Sequence, residues 1–142
     1  MIRTLQLTSK YLFLFAIGGA LYYTGEILFR GYSHWSMFLL GGLCFLYAGL
    51  QNEFTNWDKP LILQVIQVEL FVLMGEFLTG CIVNLWLKWN VWDYSNMPAN
   101  VAGQVCLPFA LLFLPLCLGA IVLDDYLRYW FFHGDKPHYK WF

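Results

Sequence analysis

The sequence predicts an all-α integral membrane protein: a four-helix transmembrane bundle with a structured or re-entrant loop before its last helix. Three observations lead there. First, the 142 residues are 60% hydrophobic, 20% aromatic and only 12% charged, whereas about a quarter of an average soluble domain is charged. Such a chain has too little polar surface to cover a globule in water. Second, four apolar segments stand out at about 11–29, 36–51, 60–87 and 104–123, each near or above the roughly 20 residues of a spanning helix. Third, the alternating strands and frequent turns of a barrel are missing, which leaves helices, whose backbone groups are satisfied within each segment.

This length fits one transmembrane domain over residues 1–142, with a cytoplasmic tail from 124 to 142. The net charge of -1 offers no basic field to nucleic acid. The run Tyr11 to Phe29 could pass for a signal peptide. It lacks a small-residue cleavage site and is long enough to span, so it reads as a helix of the mature protein. Lys and Arg set the orientation. The N-terminus, second loop and C-terminus hold Arg3, Lys10, Lys59, Arg128, Lys136 and Lys140, against Arg30 and Lys88 on the other side. Both termini are therefore expected in the cytoplasm, with the plasma membrane as the bilayer partner.

In the first helix Gly18, Tyr22, Glu26 and Arg30 recur every fourth residue. Each step advances about 40°, so they form a slanting stripe. Glu26 and Arg30 are spaced for an ion pair, and either could instead touch a ligand. Gly18-Gly19-Ala20 permits close helix approach. The tight loop Arg30 to Ser36 has Gly31 for a turn, Ser33 or Ser36 as a cap, and His34 as an interfacial hydrogen-bonder or a titrating group. The second helix carries Gly41, Gly42 and Gly49, and ends at Asn52-Glu53, where Glu53 reads as solvated. Asn56 to Pro60 reads as a turn, with Pro60 at the first helical position.

The third helix holds the strongest signal. Glu69 and Glu76 are seven apart and share a face that Gly80 and Asn84 continue. A carboxylate deep in an apolar span costs several kcal/mol unless it is paired, protonated or hydrated, which makes such a residue a functional candidate. Trp92-Asp93-Tyr94-Ser95-Asn96 and Pro98 resist simple helix. Irregular backbone at membrane depth survives where it is buried in protein or lines a cavity. The segment therefore reads as an outer-side loop folded over the helix ends, with Asn100 capping the fourth helix and Gln104 one turn inside it. Pro108 and Pro115 would each bend that helix and free a carbonyl. Cys44, Cys81, Cys106 and Cys117 lie in apolar sequence without a Cys-x-x-Cys pair and read as small hydrophobes rather than disulfides or metal ligands. No phosphate loop, nucleophile elbow or dinucleotide fingerprint is present, so no cofactor is expected and no catalytic residue is assigned.

Gly80-x-x-x-Asn84, the block Trp92-Asp93-Tyr94-Ser95-Asn96-x-Pro98-x-Asn100-x-x-Gly103-Gln104-Val105-Cys106-Leu107-x-Phe109, and the segment Glu26 to Glu53 together resemble a family of small multi-pass bacterial membrane proteins. That family carries the label "putative ABC-transporter permease (type IV)", with TMEM229-like vertebrate proteins as relatives. The resemblance covers most of the chain, leaving out the short N-terminus and the tail. It implies a helical membrane fold with a polar site formed by Glu76, Asn84, Asp93, Tyr94, Asn100 and Gln104. With Glu26, Arg30 and His34 beside them, these are the candidate ligand-binding residues.

An acidic, amide-rich site in an apolar bundle suits a small transporter or channel-like permease for a cation or small solute. Four helices are few for a complete pathway, so a homodimer is expected, with the glycine faces of the first two helices as its contact. Two other readings stay open. Glu26, Arg30, His34, Glu53, Glu76 and Asn84 loosely resemble the groups of intramembrane metal-dependent peptidases, although one histidine is little for a metal site. The chain could also be an accessory subunit of a larger membrane complex.

Overall fold

The computed structural model describes residues 1–55 and 57–142. Among the described residues four α-helices run in chain order: α1 over Ile2–Arg30, α2 over Trp35–Glu53, α3 over Leu61–Gly80 and α4 over Leu107–Phe132. π-helical turns over Cys81–Trp86 extend α3. No strand occurs among the described residues; Val101 and Val105 make one isolated bridge. α1, α3 with its extension, and α4 are each long and apolar enough to cross a membrane.

The helices alternate in direction. Lys10 of α1, Glu53 of α2 and Arg128 of α4 meet at one end. Arg30, at the end of α1, reaches the carbonyl of Val91 at the other. Both chain termini therefore lie at the same end of the bundle. α2 is the central element. It packs on α1, α3 and α4 and buries ten residues, including Met37, Leu40, Phe45 and Ala48. A helix in that position meets protein on most sides, which explains its glycines and its polar end.

Glycine makes the α1–α2 contact tight. A Cβ at Gly18 would collide with Phe45, at Gly19 with Phe38, at Gly41 with Tyr22 and at Gly42 with Phe15. These glycines are thus engaged within one chain, which corrects the expectation that they serve contact between two copies.

Several boundaries differ from the sequence reading. α1 begins at Ile2 rather than near residue 11, and α4 continues past Asp124 to Phe132. α4 starts at Leu107 and has Cys106 as its N-cap, so Asn100 does not cap it and Gln104 stays in the preceding loop. Pro108 sits in the first turn, where its missing N–H breaks no helical bond. Pro115 alone is interior. His34, not Ser33 or Ser36, caps α2: its Nδ1 accepts from the Ser36 N–H. Pro60 caps α3 from just outside it. Asn56, which begins the expected turn, lies outside the described residues, while Trp57 and Asp58 do form a turn.

Candidate functional site

A cavity of about 700 Å³ opens between α1 and α4. These two helices barely touch. They meet near their ends, Phe13 against Phe131 and Phe132, and Phe29 against Phe109 at 6.0 Å. Between those contacts they part. Cavity-lining Leu21 is 52% exposed, Leu112 42% and Leu116 56%, so the chamber opens sideways. Gly25 and Gly119 lie on the same two walls, and a Cβ on either would meet nothing within 4 Å.

α2 and α3 form the back wall, with Leu40, Gly41, Cys44, Val68, Val72 and Glu76. Glu76 is 2% exposed. Its Oε1 accepts from the Tyr22 hydroxyl at 2.8 Å, and its Oε2 has no hydrogen-bond partner among the described residues. Toward the end of α1, Glu26 pairs with Arg30 at 2.5 Å. The Arg30 guanidinium lies 4.4 Å from the centroid of the Tyr32 ring and donates to the Val91 carbonyl at 3.0 Å. The Tyr94 ring stacks on Phe109 at 4.8 Å, and burial pushes its hydroxyl pKa upward. All other lining side chains are apolar, glycine or cysteine.

The structure thus divides the nine residues expected at one site. Glu26, Arg30, Glu76 and Tyr94 line the chamber. Asn84, Asp93, Asn100 and Gln104 do not; they build the loop beside it. Asn84 donates to Gln104 Oε1 at 2.8 Å and accepts the Val91 N–H at 2.7 Å. Gln104 donates to the Ala102 carbonyl, and its own carbonyl accepts the Trp92 indole N–H at 2.9 Å. A Cβ at Gly80 would run into the Gln104 side chain, so that glycine makes room for the amide pair. Asp93 accepts from the Ser95 hydroxyl and backbone N–H, and these bonds hold its carboxyl below the ordinary aspartate range. Asn100 donates to the carbonyls of Ser95 and Met97 and accepts from the Gly103 N–H. This bonding holds an unusual backbone, in which Ala99 and Ala102 take φ values of 52° and 51°. Left-handed conformations are uncommon outside glycine, asparagine and aspartate.

His34 stands apart from the chamber. It caps α2, with its ring between Trp35 at 5.2 Å and Trp89 at 5.3 Å. Among the described residues, no three His, Cys, Asp or Glu side chains gather as a metal site.

Sequence reasoning missed a buried ionic cluster at the opposite end of the bundle. Asp124 is 0% exposed, and Asp125 and Arg128 are buried with it. Arg128 bridges Asp124 and Glu53, and Glu53 also takes Lys10 at 2.5 Å and the Tyr11 hydroxyl at 3.1 Å. Glu53 is therefore bonded on several sides, not simply solvated. Asp125 accepts from Asn52 at 2.6 Å and from the Tyr139 hydroxyl at 2.9 Å. The tail returns over this end: the Leu61 N–H donates to the Lys140 carbonyl at 2.6 Å, and Trp57 lies 4.8 Å from His138.

Among the described residues three helices are long and apolar enough to cross a bilayer, and with α2 they line a chamber that holds a buried carboxyl, the build of a membrane protein. Residues 11–133 match the family described as "Putative ABC-transporter type IV", and the chain belongs to that family. No curated protein matches the chain. No solved structure matches it either.

Proposed function

We propose that the protein is a small transporter or channel-like permease for a cation or small solute, and that Glu76 is the group that takes the charge. One observation carries this reading: Glu76 Oε2 is unpartnered and buried in a chamber wall. A carboxyl in such surroundings takes a proton or a cation as its partner. Exchange of one for the other would couple solute movement to proton movement. Glu26 and Arg30 neutralise one another at the end of the chamber, with Tyr94 beside them, so Glu76 supplies its net charge.

In this reading all four helices cross the plasma membrane. α2 runs between the same two ends as α1 and α3, and its polar and glycine residues face protein. The Lys and Arg distribution favours cytoplasmic termini. Asn84, Asp93, Asn100 and Gln104 act at one remove, by fixing the loop that carries Tyr94. A homodimer is the expected unit, because four helices are few to enclose a complete pathway.

Reconstitution into proteoliposomes with a panel of cations tests the reading. The wild-type protein should give saturable flux with opposing proton movement, and Glu76→Gln should abolish it while eluting as a folded species. Unchanged flux through Glu76→Gln would refute the assignment.

A further inference from the structure

We propose that the chamber takes a lipid-soluble organic monocation that enters from the bilayer through the gap between α1 and α4. This inference rests on the transport reading above and names its substrate class and route. The first argument is charge. The lining residues that carry formal charge are Glu26, Arg30 and Glu76, and the first two pair with each other, while Glu69 lies behind the wall and accepts from the Cys117 thiol at 3.3 Å. One carboxyl remains, which matches a single positive charge.

The second argument is the wall. Tyr22, Phe29, Phe45, Tyr94, Phe109 and Phe113 bring six aromatic rings to a chamber whose remaining uncharged lining is aliphatic side chains, glycine and two cysteines. A small hydrated ion finds too few oxygens here to replace its water shell. An organic cation loses less hydration and gains ring contact. The volume of about 700 Å³ lies within the range of roughly 300–1,000 Å³ that drug-sized ligands occupy.

The third argument is the route. α1 and α4 are joined at both ends by phenylalanine contacts and parted between them, and exposed leucines edge the gap. Both helices are of membrane-crossing length and composition, so this gap faces acyl chains. Open space at Gly25 and Gly119 keeps it wide. On the cytoplasmic side, a layer of Ala48, Leu61, Val68 and Ile121, all almost fully buried, and then the ionic cluster close the bundle.

Binding of tetraphenylphosphonium and of tetramethylammonium to purified full-length protein in nanodiscs provides the test. Tetraphenylphosphonium should bind the wild-type protein, and Glu76→Gln should weaken it by about a hundredfold, the scale of a buried charge left without its partner. Gly25→Leu with Gly119→Leu narrows the gap. The association rate of tetraphenylphosphonium should then fall by about tenfold or more relative to that of tetramethylammonium. If only the small ion binds in a Glu76-dependent way, the substrate class proposed here is wrong and the transport reading survives. If the bulky ion binds but the glycine variants leave the ratio of association rates unchanged, the lateral route is wrong. If neither ion depends on Glu76, the transport reading falls as well.

Discussion

The Tyr22 hydroxyl of α1 donates to Glu76 Oε1 of α3 across 2.8 Å, which leaves the other carboxyl oxygen buried and, among the described residues, without a hydrogen-bond partner. A single bond thus orients the carboxyl without using it up. Glu76→Gln keeps an oxygen to accept the Tyr22 proton and removes the buried acid. Its thermal stability in detergent should equal or exceed wild type while flux is lost. Tyr22→Phe strips the acceptor of its donor and should cost about 1–3 kcal/mol, the usual penalty for an orphaned buried polar group. Thermal unfolding of both variants side by side checks the order.

The ionic cluster at the other end should behave as a structural unit. Arg128→Gln would strand Asp124, which no water reaches, and should cost about 3–5 kcal/mol. Lys10 is partly exposed, so Lys10→Ala should cost less than about 1 kcal/mol. Gly49→Ala should also destabilise, by about 1–3 kcal/mol of overpacking, because its new methyl falls on the Asp124 carboxylate. Equal losses for Lys10→Ala and Arg128→Gln in chemical denaturation would contradict this picture.

Asn84 and Gln104 fasten the Trp92 loop to the end of α3. Asn84→Leu removes the acceptor of the Val91 N–H and the donor to Gln104. Amide hydrogen exchange over residues 91–105 should rise sharply in this variant, while helices α1 and α2 keep their protection. Exchange confined to residue 84 itself would mean that the loop holds without the amide pair.

The tail should loosen in acid. Lys140 holds the Asp58 carboxyl below its ordinary value through a 2.6 Å bond. A depressed carboxyl stabilises the docked tail above its unfolded-state pKa, about 3.9, and loses that contribution as pH falls through the lower folded value. The pair is exposed, so the effect is small and weakens with salt. Carboxypeptidase digestion should speed up below about pH 4, and Asp58→Asn should show the faster rate already at neutral pH.

The helices were legible because apolar length acts locally along the chain. The inward placement of Glu76 was legible for the same reason: a residue seven positions from Glu69 shares its face. Partners were not legible. Tyr22 sits on the expected stripe of α1, yet nothing in the sequence tells it to meet a residue 54 positions away. Asn84 and Gln104 do converge, but on each other and on backbone groups, since an irregular loop needs amide side chains to replace the bonds a helix would make. Asp124, Asp125 and Arg128 looked like the exit of a span. Their burial depends on Glu53 and Asn52 of α2 and on the returning tail, contacts that no local pattern encodes.

Four interlocked glycines weld α1 and α2 into one stiff leaf, because any sliding between them would drive Phe45, Phe38, Tyr22 or Phe15 into backbone. Widening of the chamber mouth therefore falls to α4. That helix has Pro115 in its interior, where a backbone bond is missing and bending is cheapest. The bundle is a fixed jamb with one door able to bend.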